Sequence, residues 1–134
     1  MKSYSDLTYL GRLRRFRQLA SIALEHYGVR TARLEFTRQA GNTLFRIHTS
    51  DLTPSPADGD LFEPGQYLLR MHQTGYQQPG AIELELAWLS AMRAEANLPV
   101  PEPVATRDGI WLLPVELPGV PGARLCSLLR WVKG

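Results

Sequence analysis

The sequence has a single cysteine, Cys126, so an intrachain disulfide is excluded and the chain fits a reducing compartment. Cys126 lies in an apolar, strand-like run, where a buried and inert thiol is expected rather than a nucleophile. There is no cysteine cluster and no His-Glu-x-x-His; His26, His48 and His72 are scattered singly, which removes the common zinc arrangements. No serine sits in a nucleophile elbow, and the phosphate fingerprints GxGxxG and GxxxxGK[ST] are absent. No apolar run is long enough to span a membrane, and the N-terminus lacks the apolar region of a signal peptide, so a soluble, cytoplasmic protein is expected. Charge of one sign is also lacking. A net charge of +2 does not by itself argue for a nucleic-acid partner. Neither an internal repeat nor a low-complexity tract is present.

What is present is a chain of 134 residues, 44% apolar, enough for one domain with a modest core. A first helix is expected from a cap at Ser5 or Asp6 to about Tyr27, stopped by Gly28. Leu7, Leu10, Leu13, Ala23 and Leu24 give it an apolar side. Arg12, Arg14, Arg15 and Arg17 form a basic cluster mostly away from that side, expected to be a solvated face. Thr31–Thr37 and Leu44–Thr49 read as a hairpin around Arg38–Asn42. Residues 50–65, rich in Pro, Gly and Asp, read as a long polar loop without chemistry of its own. Further on, Arg107-Asp108-Gly109 predicts a hairpin turn into a strand from Ile110 to Val115, and Leu125–Val132 a last apolar strand. The order predicts an α+β domain: an antiparallel sheet of about five strands, one helix packed on it and an N-terminal flanking helix.

The stretch from Tyr67 to Met92 organises the rest. Leu68, Arg70 and His72 alternate with Tyr67, Leu69 and Met71 along a strand. After Pro79-Gly80, Ile82, Leu86, Leu89 and Met92 recur at helical spacing. Glu85 falls inside that apolar stripe and Glu83 outside it. A carboxylate aimed at a core is costly unless paired, and Arg70 is the cation on the preceding strand. Spacing alone leaves two readings open, a strand–helix ion pair or two solvated charges, and favours the second, because most charged residues are solvated.

Taken together, several segments resemble the N-terminal lobe of the aminoglycoside phosphotransferase-like family, which includes choline, homoserine and fructosamine kinases and shares the protein-kinase fold. They are Gly41-Asn42-Thr43-Leu44-Phe45-Arg46-Ile47, Tyr67-Leu68-Leu69-Arg70-Met71, Glu85-Leu86-Ala87-Trp88-Leu89, Leu98-Pro99-Val100-Pro101-Glu102-Pro103 and Asp108-Gly109. The similarity covers about residues 30 to 134, with residues 1–29 as a flanking helix.

The resemblance implies roles. Ala40, Gly41 and Asn42 would lie in the phosphate loop. Arg70 would replace the usual strand lysine that contacts the α- and β-phosphates, and Glu85 would be its partner on the helix. Leu68 would pack on the adenine, and Arg130, Trp131 and Val132 would form the hinge beside it. ATP and Mg are the implied cofactors, with a small-molecule hydroxyl acceptor as co-substrate. The family's catalytic Asp and metal ligands lie in a C-terminal lobe, so no catalytic or metal-binding residue is assigned within these 134 residues, which look like a truncated gene product or a fragment of a larger kinase. The function expected is that of a nucleotide-binding lobe of an ATP-dependent phosphotransferase. The alternatives are a non-catalytic, pseudokinase-like binding module, with self-association through the exposed lobe face, and a small domain whose basic first helix contacts nucleic acid, against which the near-neutral charge argues.

Overall fold

The structure is a computed structural model and describes residues 9–39, 42–52, 62–72, 79–96, 100–116 and 123–132. The elements run α1 (Tyr9–His26), β1 (Arg33–Gln39), β2 (Asn42–His48), β3 (Phe62–His72), α2 (Pro79–Ala96), β4 (Pro103–Val104), β5 (Leu113–Val115) and β6 (Arg124–Val132). The proposed cap at Ser5 or Asp6 lies outside the described residues.

The C-terminal end of α1 is set by Gly28. Its φ of 88° is a left-handed conformation that glycine adopts without a Cβ penalty. Gly28 N–H donates to Glu25 O at 3.1 Å and Val29 N–H to Leu24 O at 2.9 Å, the paired bonds of a Schellman motif. Leu24 and Val29, the flanking apolar pair, are both buried.

All strand pairs are antiparallel, in the order β1-β2-β3-β6-β4, with β5 also on β6. The sheet therefore has six strands where five were expected. The reason lies at one edge. β4 pairs with Leu128 and Leu129, and β5 with Arg124, Leu125 and Cys126, so the two short strands follow one another along the same side of β6. The expected Ile110–Val115 strand shrinks to Leu113–Val115, and its hairpin partner is β6 rather than the segment before the turn. The Asp108-Gly109 turn is present, with Gly109 at φ 83° and Thr106 N–H bonded to Ile110 O. Residues 105–112 leave the sheet to meet the end of α1: Arg107 N–H donates to His26 O at 3.0 Å and its Nη2 to Glu25 O at 3.1 Å. The Arg107 backbone thus satisfies the His26 carbonyl, and its guanidinium adds a second donor to Glu25 O, which already accepts from Gly28, placing a cation where the helix dipole favours one.

Alternation along β3 then divides the core into two faces. Tyr67, Leu69 and Met71 are buried with Phe45, Ile47, Cys126 and Leu128 beneath Leu19, Ala20, Ala23 and Leu24 of α1. Tyr27 ties the helix end to the sheet by donating its phenol to Trp111 O at 2.7 Å and sharing it with Cys126 O at 3.3 Å. Burial holds the phenol well above the ordinary tyrosine range and pushes the Cys126 thiol up to about 12, consistent with an inert sulfur. On the opposite face Ile82 and Leu86 of α2 are buried with Leu112 and Leu129, and Leu68, Leu89, Trp111 and Leu125 pack around them.

Two polar features differ from a simply solvated surface. Arg17 lies over the Phe45 ring, 5.8 Å from its centroid, and Nη1 donates to Leu34 O at 3.1 Å, so this member of the basic cluster clamps α1 to β1. Asp51, at the start of the polar stretch after β2, accepts the N–H groups of Arg30 and Thr31 at 2.8 and 2.7 Å. Those two bonds hold its carboxyl below the usual range.

Candidate functional site

The α2 face of the sheet carries the polar residues. Arg70 lies on the α2 face, and is part-buried there, because it alternates with the buried Leu69 and Met71 of the other face. Glu85 is brought over it because Ile82 and Leu86, three residues before and one after, are pressed against the sheet. Arg70 Nη1 donates to Glu85 Oε1 at 3.0 Å. The side chains are 16% and 39% exposed, so the pair is neither a surface bridge nor a buried one. Exposed pairs contribute at most about 1 kcal/mol, while breaking a buried pair costs roughly 3–5 kcal/mol. Solvent reaching Glu85 brings the expected cost of Glu85→Ala to about 1–2 kcal/mol in urea denaturation. A loss above about 3 kcal/mol would show that the carboxylate is sealed from water.

The rest of the Arg70 guanidinium is oriented from β6. Ser127, the residue opposite Arg70 in the ladder, accepts from Arg70 Nε at 3.4 Å. His72 Nε2 lies 3.2 Å from the same Ser127 oxygen. His72 is 3% exposed, and its pKa is lowered to about 4, first by burial and then by the Arg70 cation, with Glu85 opposing. Arg70 Nη2 is buried and has no hydrogen-bond partner among the described residues. Two of the three guanidinium nitrogens are thus committed, and the third has no acceptor among the described residues, a state it shares with Arg46 Nε and His72 Nδ1.

Leu68 sits one position further along the same face, opposite Arg46 on β2 and Leu129 on β6, against the α2 cluster. Arg46 stacks over the Trp131 ring, 4.2 Å from its centroid, and Nη2 donates to Gln66 Oε1. Trp131 therefore shares the face of Leu68 and Arg70. Arg130, Trp131 and Val132 all belong to β6. The Arg130 N–H donates to Glu102 O at 2.8 Å and its Nη1 lies 3.6 Å from Glu102 Oε1, so that backbone donor is committed within the protein. Asn42 opens β2 opposite Gln39, while Ala40 and Gly41 lie outside the described residues. Ser127 and Arg46 were not singled out from the sequence as site residues. The signal for both is register: each sits on the Arg70 face of its strand, directly across from Arg70 or Leu68.

Among the described residues, no group of three or more His, Cys, Asp or Glu side chains is placed to hold a metal ion. Among them too, no helix is long and apolar enough to cross a membrane.

No protein-family model matches the sequence, and no curated protein matches it. Among solved structures, the chain is similar to that described as the structure of the microcompartment-associated aminopropanol kinase, at 31% sequence identity and a TM-score of 0.65. The match covers 88% of this chain and 32% of that one, so the chain spans about a third of that kinase's length. The two helices and antiparallel sheet are thus similar to part of a small-molecule kinase, and the domain is kinase-like.

Proposed function

We propose that this chain is the nucleotide-binding N-terminal lobe of an ATP-dependent phosphotransferase that acts on the hydroxyl of a small molecule. The observation that carries this reading is the state of Arg70. Glu85 and Ser127 hold its guanidinium, and the buried Nη2 lacks a partner among the described residues. A phosphate oxygen is a suitable acceptor for that donor, since guanidinium–phosphate bonds are charge-assisted and directional. The kinase-like fold supports the same assignment.

Within this reading Arg70 binds the α- and β-phosphates, and Glu85 keeps it extended toward them. Leu68 forms the apolar wall against the adenine, Ala40, Gly41 and Asn42 the phosphate loop, and Trp131 and Val132 the hinge. The committed N–H of Arg130 makes it a support for the hinge strand. Residues 30–134 form the lobe and 1–29 its flanking helix. Magnesium, when bound, would supply charge neutralisation at the phosphates, and its protein ligands, like the base that takes the acceptor proton, would belong to a second lobe. The acceptor class is a small alcohol; the similar kinase is described as acting on one such molecule, aminopropanol.

The test is ATP consumption by the purified 134-residue chain with magnesium and a panel of acceptor alcohols, beside an Arg70→Ala control. Weak ATP binding without turnover is expected, because a phosphate contact open to water is screened and the transition-state charge has no metal counterweight. Turnover that vanishes in the control would show that the chain completes its own active site, for example by self-association, and is not a lobe.

A further inference from the structure

We propose that Ser127 and His72 are positioning residues for Arg70: a neutral His72 accepts the Ser127 hydroxyl proton at Nε2, and Ser127 Oγ in turn accepts from Arg70 Nε, fixing the guanidinium with Nη2 presented to its ligand. That the ligand is a phosphate rests on the proposed function; the network does not.

The donor inventory fixes the direction of the Arg70–Ser127 bond, and the His72 tautomer decides that of the Ser127–His72 bond. Arg70 Nε can only donate, so Ser127 Oγ is its acceptor at 3.4 Å. Ser127 is 1% exposed, and a buried hydroxyl proton needs an acceptor of its own. His72 Nε2, 3.2 Å away, is that acceptor with the ring proton on Nδ1, a buried nitrogen that has no partner among the described residues, so this tautomer pairs the hydroxyl and leaves the ring N–H without an acceptor there. A charged His72 would donate from Nε2 instead, leaving two N–H groups aimed at one oxygen and the hydroxyl proton without its acceptor. The charged groups acting on His72 are Arg70 on its own strand and Glu85 on α2, and the effect of Arg70 is the larger. Protonation would set a second cation beside Arg70. The depressed His72 pKa, about 4 against an ordinary 6.5, agrees with a neutral ring at physiological pH.

The sign of the pH effect follows. In the unfolded chain His72 takes up a proton near pH 6.5, while in the folded chain it resists until about pH 4. The stabilisation from keeping it neutral is complete above pH 6.5 and is lost as pH falls from there toward 4. Arg70 anchoring fails only at the lower end of that window, when the folded ring itself charges.

The experiment is nitrogen-15 NMR of the 134-residue chain, reading the His72 ring nitrogens and the Arg70 Nε–H from pH 7 to pH 4, in the wild type, Ser127→Ala and Ser127→Thr. Expected is an Nδ1–H tautomer for His72 at pH 7, and an Arg70 Nε–H that exchanges about tenfold faster in Ser127→Ala and is restored in Ser127→Thr. The Arg70 signal of the wild type should move as His72 titrates, and that coupling should vanish in Ser127→Ala. An Nε2–H tautomer, or an Arg70 signal indifferent to Ser127→Ala and to pH, would overturn the proposal whatever nucleotide does. Magnesium-ATP affinity in the same variants separates the two readings. A network that behaves as described in a chain that binds no ATP upholds the positioning and sinks the nucleotide assignment. ATP binding that is unchanged in Ser127→Ala sinks the positioning role alone.

Discussion

Arg70→Ala is expected to weaken magnesium-ATP binding by about ten- to a hundredfold while leaving the domain folded. The magnitude follows from the loss of a charge-assisted guanidinium–phosphate contact, worth about 1.5–3 kcal/mol. Stability should change little by comparison. The substitution strands Glu85, but that side chain is 39% exposed and can be hydrated, so its loss of partner costs at most about 1 kcal/mol. Arg70→Lys separates charge from geometry. A lysine places a single ammonium near the phosphates but cannot bond Glu85 and Ser127 through a rigid fork and keep a third nitrogen free. Partial recovery of affinity is therefore expected, read by calorimetry or fluorescence titration beside circular dichroism. Equal affinities in the wild type and Arg70→Ala would remove Arg70 from the site.

Phe45→Ala should produce the largest loss of stability. Phe45 is fully buried on β2, opposite Phe36 on β1 and Leu69 on β3. Its ring meets Phe36 edge-on, with centroids 5.8 Å apart and planes at 65°. Arg17 of α1 lies over it, so one ring joins α1 to three strands. Truncating such a side chain leaves a cavity that the regular ladder on both sides cannot collapse into, and costs about 3–5 kcal/mol. Against a total of roughly 5–15 kcal/mol for a domain, this consumes much of the margin. Urea denaturation measures it directly, and a loss below about 1 kcal/mol would show that α1 does not seal this face.

Much of the fold was legible because it rests on local periodicity. The alternation of Tyr67–His72 separated the two faces of β3, and the helical stripe of α2 placed Glu85 toward the sheet. Periodicity gave both partners of the Arg70–Glu85 contact but favoured two solvated charges; the two are paired at 3.0 Å instead, because pairing depends on how α2 docks, which spacing does not encode. Gly28 was legible as a stop because its conformation is intrinsic to glycine. The interrupted edge strand was not. Residues 105–112 leave the ladder to cap α1, a segment some eighty positions earlier, and no local pattern encodes that partner. Ser127 was invisible for a related reason. A serine between Cys126 and Leu128 becomes a site residue only through its register with Arg70. Arg17, expected on a solvated face, reaches the sheet because its long stem can cover apolar surface while its head bonds Leu34 O.

The central claim is that the α2 face of the sheet, around Arg70, binds nucleotide phosphate. Chemical-shift mapping of the 134-residue chain titrated with magnesium-ATP tests it most directly. The account predicts shifts concentrated at Leu68, Arg70, Glu85 and Ser127, with the Arg70 side-chain N–H signals moving most, and little change at Leu19, Ala23 and Leu24, the buried residues of α1 on the opposite face of the sheet. Shifts confined to the α1 side or to Arg14, Arg15 and Arg17, with Arg70 unmoved at saturating nucleotide, would contradict it.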